Sequence, residues 1–208
     1  MIYGALVALA QSDLKRLVAY TSVNHMGYVV IGVAAAASTG ISARARDLAI
    51  DGAVLQMVAH GLVTATLFFI AGFVKERAGT RDLGRLSGLL RPMPWYGSLT
   101  ALTFFASLGL PGLAQFPAEL QIFLGTFEVW PAIAGVAVVG IVITAALFLL
   151  ALQRAFMGDT PEPLSVLPDL RRRELVAVLP LVVLFVALGV YPRLALDVIS
   201  AASWLGGG

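Results

Sequence analysis

The sequence alternates between apolar runs of about twenty residues and short connections that hold nearly all of its basic side chains. A helix needs roughly 20 apolar residues to cross ~30 Å of hydrocarbon. The runs at 18–37, 52–74, 131–153 and 175–198 reach that length, and a further stretch at 95–127 exceeds it. Backbone groups in lipid must be paired within the chain, so each run is read as helix. The predicted fold class is all-α. It is a polytopic membrane helix bundle of five full transmembrane helices plus an N-terminal partial helix, with one helix broken at Gly109-Leu110-Pro111-Gly112. Residues 1–208 read as one membrane domain, with a helix stub and loop at 1–17, a block of helices at 18–127 and C-terminal helices at 128–208. The stub at 1–10 reaches only about 15 Å before the charged turn 11–16 (QSDLKR). No basic n-region precedes it and no A-x-A site follows, so it is not read as a signal peptide. It reads instead as the second half of a helix, in a chain expected to start inside a membrane domain.

Composition agrees. Charged residues make up 12% of the chain and mean hydropathy is +0.91, against roughly 25% charge in soluble domains. A net charge of +2 and a pI near 9.2 would suggest nucleic acid in a soluble protein. Here the basic surplus reports topology, and no nucleic-acid partner is expected. With no cysteine, the chain cannot form disulfides, thiolate zinc sites or iron–sulfur clusters. Two histidines cannot build a metal or haem site unaided, so no metal is expected. No P-loop, dinucleotide fingerprint, nucleophile elbow or metalloprotease motif is present.

Charge placement predicts orientation. Lys15 and Arg16, then Lys75, Arg77, Arg81, Arg85 and Arg91, then Arg154, Arg171, Arg172 and Arg173 fall in connections on one side, eleven of the 14 basic residues. Arg44, Arg46 and Arg193 fall on the other. The positive-inside rule makes the first side cytoplasmic and puts both chain ends outside. Asp82, Asp169 and the Arg173-Glu174 pair are read as solvated loop residues, and Trp95, Trp130 and Tyr191 as interfacial anchors. Gly206-Gly207-Gly208 closes the chain without a functional reading.

Ionisable groups inside hydrocarbon are costly and need a reason. His25 shares a helix face with Thr21, and His60 shares one with Gln56 and Thr64. A neutral imidazole donates at one nitrogen and accepts at the other, so it can pass a proton. Hydrogen bonding between helices for packing explains either histidine equally well at this stage. Glu119 is the sharper case. The stretch 95–127 would be about 50 Å long as one helix. Gly109-Leu110-Pro111-Gly112 should interrupt it, because proline lacks the amide donor and clashes with the preceding turn. Unwound backbone at membrane depth survives only inside protein or beside a wet cavity, a recurrent device of ion-coupled transporters. Glu119 follows that break by two turns and could load and release a proton; the alternative is a glutamate that caps the second half-helix. Lys15 is placed near the inner surface, within reach of the membrane by snorkelling.

Several segments together resemble one family. Residues 8–28 (ALAQSDLKRLVAYTSVNHMGY) are similar to a block of the antiporter-like, proton-translocating membrane subunits of NADH:quinone oxidoreductase, respiratory complex I. Residues 56–61 (QMVAHG), 81–89 (RDLGRLSGL), 107–112 (SLGLPG) through Glu119, 152–158 (LQRAFMG) and 173–175 (REL) extend the match along the chain. The histidine of Asn24-His25-Met26-Gly27 and a glutamate in place of lysine after the break resemble subunit M, also called chain 4. The resemblance implies a fourteen-helix subunit of two inverted five-helix repeats, of which this chain matches roughly the last two-fifths. It implies a buried proton path in which Glu119 is the terminal carboxylate, His60 and His25 are members or neighbours of the relay, and Lys15 matches a motif lysine of less certain role. It implies the bacterial cytoplasmic membrane as location. The implied partners are other membrane and hydrophilic subunits of complex I, neighbouring antiporter-like subunits and lipid. Flavin, iron–sulfur clusters and quinone would then sit on partners, with no cofactor in this chain. Two departures stand out: residues 115–119 read QFPAE where the family usually carries GFxGE, and the helices of the first half-channel have no counterpart. The competing readings are a cation/proton antiporter or membrane-bound hydrogenase subunit, and a truncated scaffold that does not pump.

Overall fold

A computed structural model describes residues 1–203, so the glycine run at 206–208 lies outside the described residues. Nine helices account for most of the described chain: α1 Ile2–Leu9, α2 Leu14–Ala36, α3 Ala43–Ala78, α4 Pro94–Ser107, α5 Gln115–Val129, α6 Pro131–Phe156, α7 Glu162–Ser165, α8 Arg172–Val190 and α9 Arg193–Ser203. Four of them, α2, α3, α6 and α8, are long and apolar enough to cross a membrane. The stretch at 95–127 is two helices, α4 and α5, each too short to cross alone.

Prolines set several of the boundaries. Met93, Trp130 and Tyr191 each precede a proline and adopt nearly the same non-helical backbone, with φ of −130°, −136° and −132° and ψ of 65°, 74° and 74°. The proline ring bars the preceding residue from the α region, while its fixed φ and missing amide suit the first helical turn. The expected last span at 175–198 is therefore corrected. α8 stops at Val190, Tyr191-Pro192 turns the chain, and α9 is a separate helix. Helix α3 is corrected in the other direction. It has 36 residues, about 54 Å, and begins before the expected 52, so Arg44, Arg46, Asp47 and Asp51 lie on the helix rather than in a loop. Ser42 caps it, its hydroxyl accepting from Ala45 N at 3.2 Å, and Gly79 ends it in the left-handed region at φ 68°.

Helix α3 is the packing centre, touching α2, α4, α5, α8 and α9. Its closest neighbour is α5. A Cβ on Gly52 would stand 2.8 Å from Ile122 N, so the two backbones meet where a side chain is missing, as small residues allow between membrane helices.

The three basic connections gather at one end of the bundle. Leu14 N donates to Arg81 O at 2.9 Å and Leu83 N to Ser12 O at 2.7 Å, while Gly88 N donates to Met157 O at 3.2 Å. Asp13 caps α2 through Lys15 N at 2.8 Å and pairs with Arg81 Nε at 3.3 Å. At the opposite end Glu128, near the close of α5, accepts from Ser42 N at 2.7 Å and Ser42 Oγ at 2.9 Å.

Two acidic residues read as solvated are not. Glu174 lies in the first turn of α8, 6% exposed, and accepts from Arg77 Nη2 and from Arg171 N. Arg77 also donates to the carbonyls of Phe73, Pro168 and Asp169. The Asp169 carboxylate caps α4, accepting from Trp95 N at 2.9 Å and Tyr96 N at 3.0 Å. The planar Arg77 guanidinium is thus met by one helical carboxylate and three backbone carbonyls.

Candidate functional site

His25 is the twelfth of the 23 residues of α2, and His60 the eighteenth of the 36 of α3. Both stand at the mid-height of their helices. The break between α4 and α5 lies at the same level, because each of these helices covers about half a crossing. Ser107 is the last residue of α4, and Glu119 is the fifth of α5. Pro117 sits in the first turn of α5, where its missing amide costs nothing. The break itself is therefore 108–114, with Gly109 at φ 74° and Gly112 at φ 91°.

These four helices bring the predicted residues together. His25 Nδ1 lies 3.5 Å from Glu119 Oε1, with the two side chains 1% and 6% exposed. On the other edge of the ring, His25 Nε2 lies 3.3 Å from Ser107 Oγ. The His25 and His60 rings stand 5.2 Å apart, centroid to centroid. The second carboxylate oxygen of Glu119 reaches back over the break. A Cβ on Gly109 would stand 2.7 Å from Glu119 Oε2, and the positive φ there already favours glycine. The break thus makes room for the carboxylate that follows it.

His60 has two side-chain neighbours. Thr64 Oγ1 lies 3.3 Å from Nδ1 and 3.2 Å from Nε2, and the Gln115 amide faces Nδ1 at 3.4 Å. The amide is oriented by its surroundings. Its NH2 group donates to the last carbonyls of α4, Ala106 O at 3.0 Å and Ser107 O at 2.6 Å, which turns its oxygen toward His60. Around this set lie further buried polar groups. Asn24 Nδ2 donates to Thr144 Oγ1 at 2.8 Å, and the Gln56 amide is completely buried with no hydrogen-bond partner among the described residues. The arrangement holds two imidazoles and one carboxylate among buried neutral polar side chains, where protons can be shared between nitrogen and oxygen atoms at short range. Among the described residues no group of three or more His, Cys, Asp or Glu could hold a metal ion.

Lys15 is not part of this cluster. It is exposed in the first turn of α2, beside Phe68, Gly72 and Arg81, ten residues and about 15 Å of helix rise from His25. Ser107, Gln115, Gln56 and Gly109 were not singled out from the sequence as site residues. Gln115 and Gln56 each precede a site residue by four positions, Glu119 and His60, so helical spacing carried a signal for both. Ser107 carried none, since its neighbour His25 is 82 residues away.

Comparison with known proteins places this geometry. A family model described as NADH:quinone oxidoreductase/Mrp antiporter, TM, matches residues 1–144. The chain belongs to this family. Subunit M of NADH-quinone oxidoreductase from Pseudomonas aeruginosa is 43% identical over 99% of this chain and 40% of that protein, and the Escherichia coli K12 subunit M is 42% identical over 95% and 37%. An NAD(P)H-quinone oxidoreductase chain 4 of Synechococcus elongatus is 42% identical over 95% of this chain and 37% of its own length. The chain thus spans about two-fifths of the relatives it matches. Respiratory complex I from Thermus thermophilus holds a chain that superposes with a TM-score of 0.85 at 32% identity, over 97% of this chain and 41% of that one. The Mrp complex of Dietzia shares the fold, with a TM-score of 0.80 at 23% identity over 96% and 44%.

Proposed function

We propose that these residues form the exit-side part of a buried proton path in a subunit M-like membrane protein of a respiratory NADH:quinone oxidoreductase. The observation that carries this reading is the His25–Glu119 approach of 3.5 Å, at a helix break and beside His60. A carboxylate and an imidazole so placed can hold one proton between them or two, and neither state needs bulk water. Glu119 is the group that loads and releases the proton at the end of the path, and His60 and His25 exchange it along the way. Gln56, Asn24 and Thr126 carry buried polar atoms without hydrogen-bond partners among the described residues, and these are the groups suited to hold water along the path.

In this reading α4 and α5 together supply the fifth crossing, since their 14 and 15 residues add to about 44 Å of helix. The end with the basic connections faces the cytoplasm and both chain ends face outward, in a bacterial cytoplasmic membrane. Quinone reduction occurs elsewhere, on hydrophilic partner subunits that carry flavin and iron–sulfur clusters. Their charge changes reach Glu119 through neighbouring antiporter-like subunits. Lys15, at the inner surface, lies outside the relay. The test is Glu119→Gln in the assembled complex. Pumping lost with assembly and electron transfer retained supports the reading, and unchanged pumping overturns it. Antiporter or hydrogenase subunits co-purifying in place of quinone-reducing ones would move the same path to a different machine.

A further inference from the structure

Gln115 does two things at once. It is completely buried, and its amide nitrogen donates to Ala106 O and Ser107 O, the last carbonyls of α4, of which Ala106 O also accepts from Gly109 N at 3.3 Å. Because both amide hydrogens are spent on α4, its oxygen is fixed as an acceptor facing His60 Nδ1 at 3.4 Å. An acceptor there is satisfied only if His60 carries its proton on Nδ1. Nε2 then keeps the lone pair, with the Thr64 hydroxyl 3.2 Å away and able to donate to it.

Resting on the proton-path reading above, we infer that Gln115 is a positioning residue that pins the tautomer of His60, so that His60 takes up and returns its proton at Nε2 alone. Neutral His60 accepts a proton at Nε2 and becomes imidazolium. It returns to the pinned tautomer only by giving a proton back from Nε2. Passing a proton through the ring, in at Nε2 and out at Nδ1, would leave the Gln115 oxygen facing a lone pair. A buried acceptor set against another acceptor is unfavourable, so the through-ring route is closed. Gln115 thereby guards against a leak across mid-membrane, and it does so with an amide that cannot itself take up the proton.

The test compares Gln115→Met and Gln115→Glu in the assembled complex, with Glu119→Gln alongside. Met keeps the length and removes every hydrogen bond. Glu restores the acceptor toward His60 and loses the amide donors to α4. The expected result is that Gln115→Met lowers protons moved per electron pair by at least twofold at near-normal electron transfer, and Gln115→Glu recovers most of that ratio. Normal coupling in Gln115→Met overturns the inference, as does equal impairment in both variants, which would mark Gln115 as a cap for α4 alone. Should Gln115→Met fail to assemble, Gln115→Glu decides, since strong uncoupling in that variant contradicts an acceptor role. Failure of both to assemble reduces the residue to packing and overturns the inference as well. If Glu119→Gln pumps normally, the proton-path reading itself fails. If Glu119→Gln is inactive while Gln115→Met is normal, only the role of Gln115 fails.

Discussion

Substituting Gly109 by alanine separates the chemistry of the break from its backbone. Two costs fall on Gly109→Ala. The first is strain, because φ is 74° and a non-glycine residue there costs about 1–2 kcal/mol. The second is steric. The new Cβ would stand 2.7 Å from Glu119 Oε2, so the carboxylate must retreat by about 0.7 Å to reach an ordinary contact. That retreat carries Oε1 from its 3.5 Å approach to His25 toward about 4 Å. A misplacement near 1 Å can cost on the order of a hundredfold in a positioned reaction, so roughly a tenfold loss of proton transfer is expected. Gly112→Ala is the matched control. Its φ is 91°, so it carries the same strain, but its Cβ would meet nothing within 4 Å. Both variants should lower thermal stability by similar amounts. In inside-out vesicles only Gly109→Ala should lose pumping, read as a dye-quenching rate normalised to electron transfer. Equal pumping by the two variants would refute the claim that the break exists to seat Glu119.

Four further outcomes follow from the geometry. Arg77→Gln leaves the Glu174 carboxylate 7% exposed without its cation, which should cost about 3–5 kcal/mol in a melting experiment. The paired change Arg77→Met with Glu174→Leu should recover most of that loss in the same melting experiment. Asp169→Ala removes the acceptor for Trp95 N and Tyr96 N, and should cost about 1 kcal/mol with pumping unchanged. This sequence has no cysteine, so a single thiol placed in it is labelled without background from the chain itself. Ser87→Cys should react with a membrane-impermeant maleimide only from the cytoplasmic side and Ser38→Cys only from the outer side; the reverse pattern would invert the proposed topology.

Much of this was legible in the sequence because the bilayer leaves few options. Apolar length and basic connections marked α2 and α6 closely and α3 in its central and final part, and Gly109-Leu110-Pro111-Gly112 marked the break. The end of α8 was missed although Pro192 announced it: apart from Arg193 the residues flanking Tyr191-Pro192 are apolar, and hydropathy overrode the proline. The start of α3 was missed for the opposite reason, since charges at 44–51 look like loop until Ser42 caps a helix there. Within the site, His25, His60 and Glu119 stood out because charge is rare at such depth. Ser107 and Gln115 did not. Neutral polar side chains are common in membrane helices, and what distinguishes these two is contact across 82 and 55 positions. Glu174 looked solvated because its partner Arg77 lies 97 residues away.

The central claim is that Glu119 changes its protonation as the machine turns over. Infrared difference spectra of the assembled complex, taken between resting and turning-over states, test it most directly. The account predicts a carboxyl carbonyl signal that shifts in heavy water and disappears in Glu119→Gln, with the amide bands largely unchanged. A difference spectrum in which that signal survives Glu119→Gln would contradict it.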